Sequence, residues 1–382
     1  MQASNKHKIL INGRFLTQSI SGVQRYAHEI VTLWDEMIEA GEKSILPFEF
    51  ELLVPRKKFL KHNLELRHIP TKFLGYFTGH LWEQLELPFH TMKRTLFCPG
   101  NTAPILHLLT NNPTVVTVHD LSFRYFPQAY SKLFKVIYHI LTPLIFRFSE
   151  AIITVSRAEN ASLLKLYPAA QKKVYVIQNG GIPLRYLNQI DTAIHSKNTI
   201  QQPFLLYVGA LNQRKNPQGV IAAFNKLKKF KDLNLVIIGA ESKSFKQIEY
   251  DRLTDISDRI IFKGQIDDAY ALIPYYRYAL CLVFPSFYEA SPLPPIEAMA
   301  CECPVLSSNI TALQERCGEA ALYCDPNSPD DIAQKIEQLV INKSLRESLK
   351  DKGLKRAAQF TWENCAKNTL KVFKDLLDKQ MV

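Results

Sequence analysis

The chain has 382 residues, of which 47% are hydrophobic and 22% are charged, and its formal net charge is +11. This length exceeds what one hydrophobic core usually serves and predicts two domains, and the composition excludes a disordered or fibrous chain. The longest apolar stretch, Val136 to Phe148, is interrupted by polar residues and falls short of the roughly 20 residues that span a bilayer.

The N-terminal half alternates short apolar strands with helices. A first strand, Lys8 to Asn12, is followed by a glycine-containing turn and a helix from Val23 to Met37. Further strands are predicted at Phe50 to Val54, Thr114 to Val118, Ala151 to Val155 and Lys173 to Ile177. Buried strands separated by helices are the pattern of a parallel sheet that is covered on both faces.

The same alternation restarts after a polar segment, Leu187 to Gln202, which is predicted to be a linker. Strands are predicted at Phe204 to Val208, Asn234 to Ile238, Ile260 to Phe262, Leu280 to Phe284 and Pro304 to Leu306. Helices are predicted at Pro217 to Phe230, Asp268 to Tyr278, Pro295 to Cys301 and Trp362 to Lys379. The sequence thus predicts two doubly wound α/β domains, with ligands beyond the carboxyl ends of the strands, in a cleft between the two sheets.

The cysteines and the N-terminus both predict a cytoplasmic protein. None of the seven cysteines has a C-x-x-C spacing, so they are expected to be reduced thiols, and the polar N-terminus lacks the apolar core of a signal peptide. Residues 1–196 hold 22 Lys/Arg against 14 Asp/Glu. This basic half indicates an acidic partner, such as lipid headgroups, a lipid-linked phosphate or nucleic acid, although a solvated basic surface explains it equally well.

Two glutamates stand out between Pro285 and Ala300. Glu289 lies in a loop after a strand, and Glu297 lies in the helix that follows. A helix N-terminus with free N–H groups can bind an anion, and carboxylates beside it can accept hydrogen bonds from sugar hydroxyls. The alternative is that Glu297 only stabilises the helix dipole and that Glu289 is a solvated loop charge.

Three other strand ends carry candidate residues. Arg214 and Lys215 follow a strand and could neutralise a diphosphate leaving group, although such a pair is often only solvated. His119 ends an apolar strand, where it could donate to a substrate hydroxyl, act as an acid or base, or form a structural hydrogen bond. Gly22 would allow close backbone approach to a phosphate or acceptor, or simply make a turn.

Several motifs of other enzyme classes are absent from the sequence. There is no D-x-D triplet, no Walker A loop, no H-E-x-x-H and no G-x-S-x-G. Metal-assisted chemistry, phosphate-loop NTPase activity and serine hydrolysis are therefore not indicated.

In their order along the chain, these segments resemble the retaining glycosyltransferase family 4, which has the GT-B fold of two Rossmann-like domains facing across a cleft. Nearly the whole chain takes part, from the turn at Ser21 to the helix at Trp362. The resemblance implies an acceptor-side domain over 1–190, a nucleotide-sugar-binding domain over 200–361, and a closing helix, 362–382, that crosses back.

The resemblance also implies roles for individual residues. Glu289 would face the donor sugar, Glu297 the ribose, and His119 the transferred sugar. Arg214 and Lys215 would bind the diphosphate. The remaining donor-binding positions are glycines and one leucine: Gly22, Gly209, Gly239, Gly264 and Leu293.

The chain departs from the family pattern in the loop after Glu289. Many members have glycines where this chain has Ala290 and Pro292, and Pro292 lacks an N–H donor. Ala210 also replaces a frequent arginine, for which Arg214 is a candidate substitute. Donor contacts from these loops are expected to differ, while the two glutamates are retained.

By this resemblance the protein is a metal-independent hexosyltransferase that uses GDP-mannose or a UDP-sugar, with mannose as one candidate sugar. The expected reaction retains the anomeric configuration, and the leaving phosphate takes the acceptor's proton on the same face. The basic N-terminal half adds the hypothesis that the acceptor is a glycan or a lipid-linked glycan of an O-antigen-like polysaccharide, at the anionic inner face of the membrane, and no nucleic acid is expected as a partner. A nucleotide-sugar epimerase or hydrolase and a catalytically silent subunit that binds a partner transferase remain as alternatives.

Overall fold

The computed structural model describes residues 6–110, 112–183, 186, 202–240, 257–266 and 268–380. The chain forms two compact units. Unit 1 comprises Met1–Asn179 and Trp362–Val382, and unit 2 comprises Gly180–Thr361. The predicted linker lies outside the described residues except for Gln202. The roles assigned to the two domains remain predictions.

Unit 1 is built on a sheet of seven parallel strands. The strands are β1 (His7–Asn12), β2 (Phe48–Pro55), β3 (Thr71–Leu74), β4 (Thr95–Cys98), β5 (Thr114–Val118), β6 (Ala151–Thr154) and β7 (Val174–Val176). Their order is β3-β2-β1-β4-β5-β6-β7. Because β2 and β4 lie on opposite sides of β1, the direction of winding reverses between β1 and β4.

Helices cover both faces of this sheet. They are α1 (Gly22–Glu39), α2 (Gly79–Leu85), α3 (Leu87–Thr91), α4 (Ile105–Leu109), α5 (Ser122–Tyr125), α6 (Lys132–Phe148), α7 (Arg157–Leu166) and the C-terminal helix α14 (Trp362–Gln380). Short 3-10 turns lie at Gly13–Thr17, Lys57–Phe59, Pro127–Ala129 and Pro168–Lys173. Helix α6 begins where the Ser131 hydroxyl accepts from the Phe134 N–H, and α7 where the Ser156 hydroxyl accepts from the Glu159 N–H.

Aromatic side chains join α1 and α14 to one face of the sheet. Trp34 of α1 packs on Phe50 and Phe97, with ring centroids 4.8 and 5.4 Å apart, and Phe373 of α14 packs on Phe97 at 5.6 Å. The Trp34 indole also donates to the Ala366 carbonyl at 3.2 Å. Helix α14 is therefore part of the core of unit 1, although 182 residues separate it from the rest of that unit.

The opposite face of the sheet carries a second core. Since successive strand residues point to opposite faces, Leu96 and Cys98 lie against this core while Phe97 faces α1. Trp82, Leu108 and Leu141 pack here from α2, α4 and α6. Each of these helices thus has one face that is fixed by the sheet.

Unit 2 is built on six parallel strands. These are β8 (Phe204–Val208), β9 (Asn234–Ile238), β10 (Ile260–Gly264), β11 (Cys281–Phe284), β12 (Val305–Ser308) and β13 (Ala321–Cys324), in the order β10-β9-β8-β11-β12-β13. The helices are α8 (Pro217–Asn225), α9 (Ala269–Tyr278), α10 (Pro294–Ala300), α11 (Thr311–Cys317), α12 (Pro329–Ile341) and α13 (Lys343–Ala357). Turns of 3-10 helix lie at Gln213–Lys215, Ser257–Arg259 and Gly318–Ala320.

Two cores sandwich the second sheet. One contains Leu205, Phe224 and Ile336, from β8, α8 and α12, and the other contains Leu206 and Ile296, from β8 and α10. Helix α13 packs closely on α10 at Gly353, where an added side chain would lie only 3.2 Å from Met299. The predicted fold class, two doubly wound parallel sheets, is confirmed.

The sequence predicted most of the strands but missed several elements. Strands β3, β4 and β13 were not predicted, and no bounds were predicted for helices α2–α7 and α11–α13. Helix α8 ends at Asn225, short of the predicted Phe230, because the Lys226 and Leu227 N–H groups close tighter turns on Ala223 and Phe224. None of the seven cysteines forms a disulfide, and all are buried. Within the described part of the chain, no helix has the length and apolarity that a membrane crossing requires.

Candidate active site

The predicted charged residues of unit 2 meet where the winding of its sheet reverses. Arg214 and Lys215 follow β8, and Glu289 follows the neighbouring strand β11. In doubly wound sheets, this position beyond the carboxyl ends of two diverging strands is where ligands bind. Residues that are 74 and 75 positions apart in the sequence are brought into contact here.

The Glu289 carboxylate is held by both cations. Lys215 Nζ lies 2.5 Å from Glu289 Oε1, and Arg214 Nη1 lies 3.4 Å from Glu289 Oε2. Arg214 Nη1 also donates to the Tyr288 carbonyl at 3.0 Å. The glutamate side chain is 5% exposed, and those of Lys215 and Arg214 are 14% and 16% exposed. Two cations against one carboxylate leave an excess of one positive charge, which suits an anionic ligand.

Asn216 fixes the backbone that presents the two cations. It adopts the left-handed conformation, with φ of 58°, and its side-chain oxygen accepts from the Gly219 N–H at the start of α8. Its amide nitrogen donates to the carbonyls of Pro285 and Pro326 at 3.1 and 2.8 Å. One buried side chain thereby ties the β8 loop to the β11 loop that carries Glu289.

Glu297 is buried and bonded to a tyrosine that the sequence did not indicate. Its Oε2 accepts from the Tyr276 hydroxyl of α9 at 2.8 Å, and Glu297 is 2% exposed. No sequence signal links these residues, because the packing of α9 against α10 brings them together. The two glutamates therefore lie in different environments. Glu289 contacts two cations, whereas Glu297 accepts a hydrogen bond from a tyrosine hydroxyl.

The start of α10 differs from the predicted anion site. Pro294 and Pro295 have no N–H, and the N–H groups of Ile296 and Glu297 both donate to the Leu293 carbonyl at 3.0 Å. These four residues leave no N–H free for a ligand. The expectation of an anion site at this helix start is wrong, because proline removes two donors and Leu293 occupies the other two.

The altered loop before α10 is held by a buried arginine. Arg316, 2% exposed, donates from Nε to the Pro292 carbonyl at 3.3 Å and from Nη2 to the Gly180 carbonyl at 3.1 Å. Its guanidinium also lies 4.3 Å from the ring centroid of Phe360. The backbone at Pro292 is thus tied to Arg316, a positioning residue that sequence reasoning missed.

The glycines of unit 2 occupy the carboxyl ends of three neighbouring strands. A side chain at Gly239 would lie 1.9 Å from the Gly209 carbonyl oxygen, so the loops after β8 and β9 require glycine there. Gly264 has φ of +69°, a conformation that favours glycine. A side chain at Gly209 would meet only ordinary contacts, at 3.5 Å or more. Of these three positions, Gly209 alone is not explained by packing or backbone strain.

In unit 1, His119 follows β5, and one of its two ring nitrogens already has a hydrogen-bond partner. Nε2 lies 2.8 Å from the Pro99 carbonyl, which can only accept, so Nε2 carries the proton. Burial lowers the pKa of His119, although the Pro99 carbonyl and Asp120 oppose that shift. The ring is therefore neutral near pH 7, with Nδ1 as an acceptor. The prediction that this histidine donates to a substrate is not supported at Nε2.

Gly22 begins helix α1 and has open space beside it. No atom lies within 4 Å of a side chain placed there, and the Ser21 side chain before it makes no capping hydrogen bond to the helix. Neither packing nor backbone strain therefore requires glycine at this position. Gly22 and His119 belong to unit 1, and the other predicted site residues belong to unit 2.

The point of reversed winding in unit 1 is filled by a buried ion pair that the sequence did not indicate. Arg14 Nε lies 3.2 Å from Glu83 Oε1, which also accepts from Asn12 at 2.7 Å and Thr102 at 2.9 Å. Burial alone would raise the pKa of Glu83, but Arg14 and the hydrogen bonds lower it to about 2. The described residues hold no group of three or more His, Cys, Asp or Glu placed for a metal ion.

Two doubly wound parallel units, with a carboxylate and two cations at the switch point of the second, define a protein of the GT-B class. The family model of "Glycosyl transferases group 1" matches residues 191–356, and that of "Glycosyltransferase Family 4" matches residues 90–181. The chain belongs to glycosyltransferase family 4 and is a glycosyltransferase. The family resemblance and the GT-B fold are confirmed.

Relatives of known name resemble most of the chain. O-antigen chain mannosyltransferase B of Escherichia coli is 30% identical over 279 residues, which are 68% of this chain and 70% of that protein. O-antigen chain mannosyltransferase RfbU of Salmonella typhimurium is 29% identical over 275 residues, 70% and 71% of the two chains. The Anabaena protein HepE, solved with UDP and glucose, is 16% identical with a TM-score of 0.72, covering 97% of this chain and all of that one, which shows the shared fold.

Proposed function

We propose that this glycosyltransferase moves a hexose, with mannose as the first candidate, from a nucleotide-sugar donor to the growing glycan of an O-antigen-like polysaccharide. The observation that carries the proposal is the contact of Glu289 with Arg214 and Lys215 at the switch point of unit 2. The choice of mannose and of an O-antigen is supported by the two relatives of that name, which are 30% and 29% identical.

The two cations are suited to a diphosphate leaving group. Fixed positive charges in a largely buried site stabilise charge that develops on a departing phosphate, and such an arrangement needs no metal ion. Lys215 and Arg214 are held in place by Glu289 and by the backbone of Tyr288. The proposed donors are GDP-mannose and UDP-sugars, and HepE, solved with UDP and glucose, has the same fold.

The site favours transfer with retention through a same-face reaction. A double displacement needs a carboxylate that is free to attack the anomeric carbon. Both oxygens of Glu289 are engaged by cations, which weakens that carboxylate as a nucleophile and suits it to accept a sugar hydroxyl. In the proposed step, the acceptor hydroxyl forms the new bond to the anomeric carbon as the bond to the diphosphate breaks. A phosphate oxygen of the leaving group takes the proton.

The acceptor is proposed to be lipid-linked, which places the protein at the anionic inner face of the cytoplasmic membrane. The support is the basic composition, with a net charge of +11. Cationic surfaces are attracted to anionic lipid headgroups. Nucleic acid is not proposed as a partner.

Calorimetric titration of the full chain with GDP, UDP, dTDP and their common sugars, in the presence of a chelator, tests the donor site. Saturable binding of one nucleotide is expected, and Lys215→Ala is expected to lower turnover about 100-fold. Glu297→Ala should weaken nucleotide binding. Lys350→Ala removes a half-buried lysine of α13, whose ammonium lies 3.2 Å from the Glu347 carboxylate, and is the control that should bind normally.

Three outcomes would overturn parts of this proposal. Failure to bind every nucleotide of the panel would favour the silent-subunit alternative. Release of free sugar in the absence of any acceptor, at a rate close to transfer, would favour a hydrolase. Loss of turnover in the chelator, restored by a divalent cation, would contradict the metal-independent reaction.

A further inference from the structure

Exposed apolar side chains are concentrated in one segment of unit 1. Among the described residues, 19 large hydrophobic side chains are exposed, and 13 of these lie in residues 71–148, from β3 to the end of α6. This segment is about a fifth of the chain. Singly exposed apolar residues are ordinary, but a concentration of them marks an interaction surface.

On helix α6, the exposed apolar side chains lie on one face of the helix. Leu133, Val136 and Ile140 are 71%, 57% and 54% exposed, and their spacing of three and four residues places them on one face of the helix. Leu141 and Ile145 are buried on the opposite face, against the sheet. The helix is apolar on both sides, and only one of them is covered by unit 1.

Helices α3 and α4 extend the same apolar face. Thr91 Oγ1 of α3 lies 3.0 Å from His107 Nδ1 of α4, and α4 packs beside α6. Apart from His90 of α3, their exposed side chains are apolar as well. The α3–α4–α6 face is defined here by six exposed residues: Phe89, Leu106, Leu109, Leu133, Val136 and Ile140.

The charges around this face have one sign at the surface. Residues 71–148 contain seven Lys/Arg and three Asp/Glu. None of the three acidic residues is exposed: Glu83 is paired with Arg14, Glu86 accepts from the backbone N–H groups of Tyr76 and Phe77, and Asp120 accepts from Ser122. Five of the basic residues are exposed, namely Lys72, Lys93, Arg94, Lys132 and Arg147. The segment therefore presents apolar and cationic side chains without exposed carboxylates.

We propose that the α3–α4–α6 face docks on a bilayer surface that contains anionic phospholipid. Large apolar side chains flanked by lysine and arginine are the pattern of an interfacial membrane contact, in which the apolar groups enter the acyl boundary and the cations meet phosphates. A second copy of the chain is the poorer partner, because two faces of the same positive sign repel each other. This inference rests on the proposed lipid-linked acceptor and names the surface that reaches it.

Co-sedimentation of the full chain with sucrose-loaded vesicles tests the surface. The vesicles contain phosphatidylethanolamine and phosphatidylglycerol in a 3:1 ratio, with phosphatidylcholine vesicles for comparison. The chain is expected to bind the anionic vesicles alone, and added salt should weaken that binding. Leu133→Ser/Val136→Ser/Ile140→Ser should reduce it at least tenfold, and Lys132→Gln/Arg147→Gln should reduce it several-fold.

Matched variants separate the surface from general effects. Ile341→Ser changes an apolar side chain that is 66% exposed in unit 2, and Lys371→Gln/Lys374→Gln neutralises two exposed lysines of α14. Both should bind vesicles as the unaltered chain does. Far-UV circular dichroism and nucleotide titration show whether the triple variant is folded, and Phe89→Ser in α3 provides a milder change of the same face.

Three results would overturn the docking surface. They are the absence of vesicle binding by the unaltered chain, equal binding by the face variants, and dimers in sedimentation velocity that the triple variant abolishes while vesicles are not bound. The last result would assign the face to a second copy. Normal nucleotide binding and transfer in any of these cases would leave the proposed function standing, whereas loss of nucleotide binding by the unaltered chain would contradict that function separately.

Discussion

At the scale of single residues, the glycines of the predicted site divide into two kinds. Gly239 is required by packing, since its side chain would overlap the Gly209 carbonyl oxygen at 1.9 Å. A side chain added at Gly22 would meet no atom within 4 Å, and Gly22 begins a helix, where alanine is well accommodated. If Gly22 is kept for close approach of a ligand to the backbone, its substitution will affect activity without harming the fold.

Gly22→Ala is therefore expected to keep or raise the free energy of unfolding, by about 0.5 kcal/mol, and to reduce transfer several-fold. Gly239→Ala should cost about 3 kcal/mol or more, because two backbone segments must separate. Chemical denaturation and a transfer assay measure both effects. A Gly22→Ala enzyme with unaltered turnover would show that this glycine belongs only to a turn.

Residue types and their order along the chain predicted which residues lie in the candidate site, but they did not predict how these residues contact one another. Strand ends located Arg214, Lys215 and Glu289 at one edge of a sheet, because parallel strands share that edge. The sequence could not show that Glu289 bonds to both cations, since that depends on the register between loops 74 residues apart. The Tyr276 hydroxyl on Glu297 and the Arg316 contacts to Pro292 and Gly180 depend on helix packing in the same way.

At the scale of elements, the loop between β8 and α8 depends on Asn216. Its side chain accepts from Gly219 at 3.0 Å and donates to the carbonyls of Pro285 and Pro326. Aspartate would preserve the acceptor and the helix cap but would place a buried carboxylate against two carbonyl oxygens. The backbone of Arg214 and Lys215 precedes this residue directly, so the site should respond along with the fold.

Asn216→Asp is expected to destabilise unit 2 by about 3 kcal/mol, because the new buried carboxylate would face the carbonyls of Pro285 and Pro326 without a proton to donate to them. It should also weaken nucleotide binding. Asn342 is an exposed helix cap whose oxygen accepts from Leu345 at 2.9 Å, and Asn342→Asp should be nearly neutral, because either residue caps well in water. Thermal unfolding of the two variants, followed with and without nucleotide, checks the difference. Equal melting temperatures would contradict the buried role of Asn216.

Among the elements, burial on one side or both explains part of what the sequence missed. Strands β1, β5, β8 and β11 each contain a buried apolar run and were predicted, whereas β4 is buried as well but only four residues long, and it was missed. Strand β3 is an edge strand whose first three residues are exposed, so Thr71–Leu74 has no apolar run to detect. Helices α3 and α4 are five residues each and are apolar outside as well as inside, so helical periodicity gives no signal there.

At the scale of the whole molecule, the titrating histidines are unevenly divided between the units. Nine of the ten histidines lie in residues 1–139, and the tenth is His195. Burial and the neighbouring His62 lower the pKa of His28 to about 4, and burial lowers that of His107 to about 4. Burial also lowers the pKa of His7 and of His119. All four of these histidines belong to unit 1.

The resulting pH dependence has a definite sign. Below the ordinary pKa of 6.5, the unfolded chain binds protons at these histidines while the folded unit does not. Stability is therefore complete above about pH 6.5 and is lost as the pH falls toward 4, by about 1.4 kcal/mol per pH unit for each of His28 and His107. Unit 2 has no described histidine that would add such a loss.

Differential scanning calorimetry between pH 7 and pH 5 is expected to show a transition of unit 1 that moves to lower temperature more than that of unit 2. Ile332→Ala, in the core of unit 2, identifies the transition of that unit by lowering it. His28→Gln should flatten the pH dependence of unit 1, because glutamine does not take up the proton. Equal shifts of both transitions, or an unchanged slope in His28→Gln, would show that buried histidines do not set the acid stability of this enzyme.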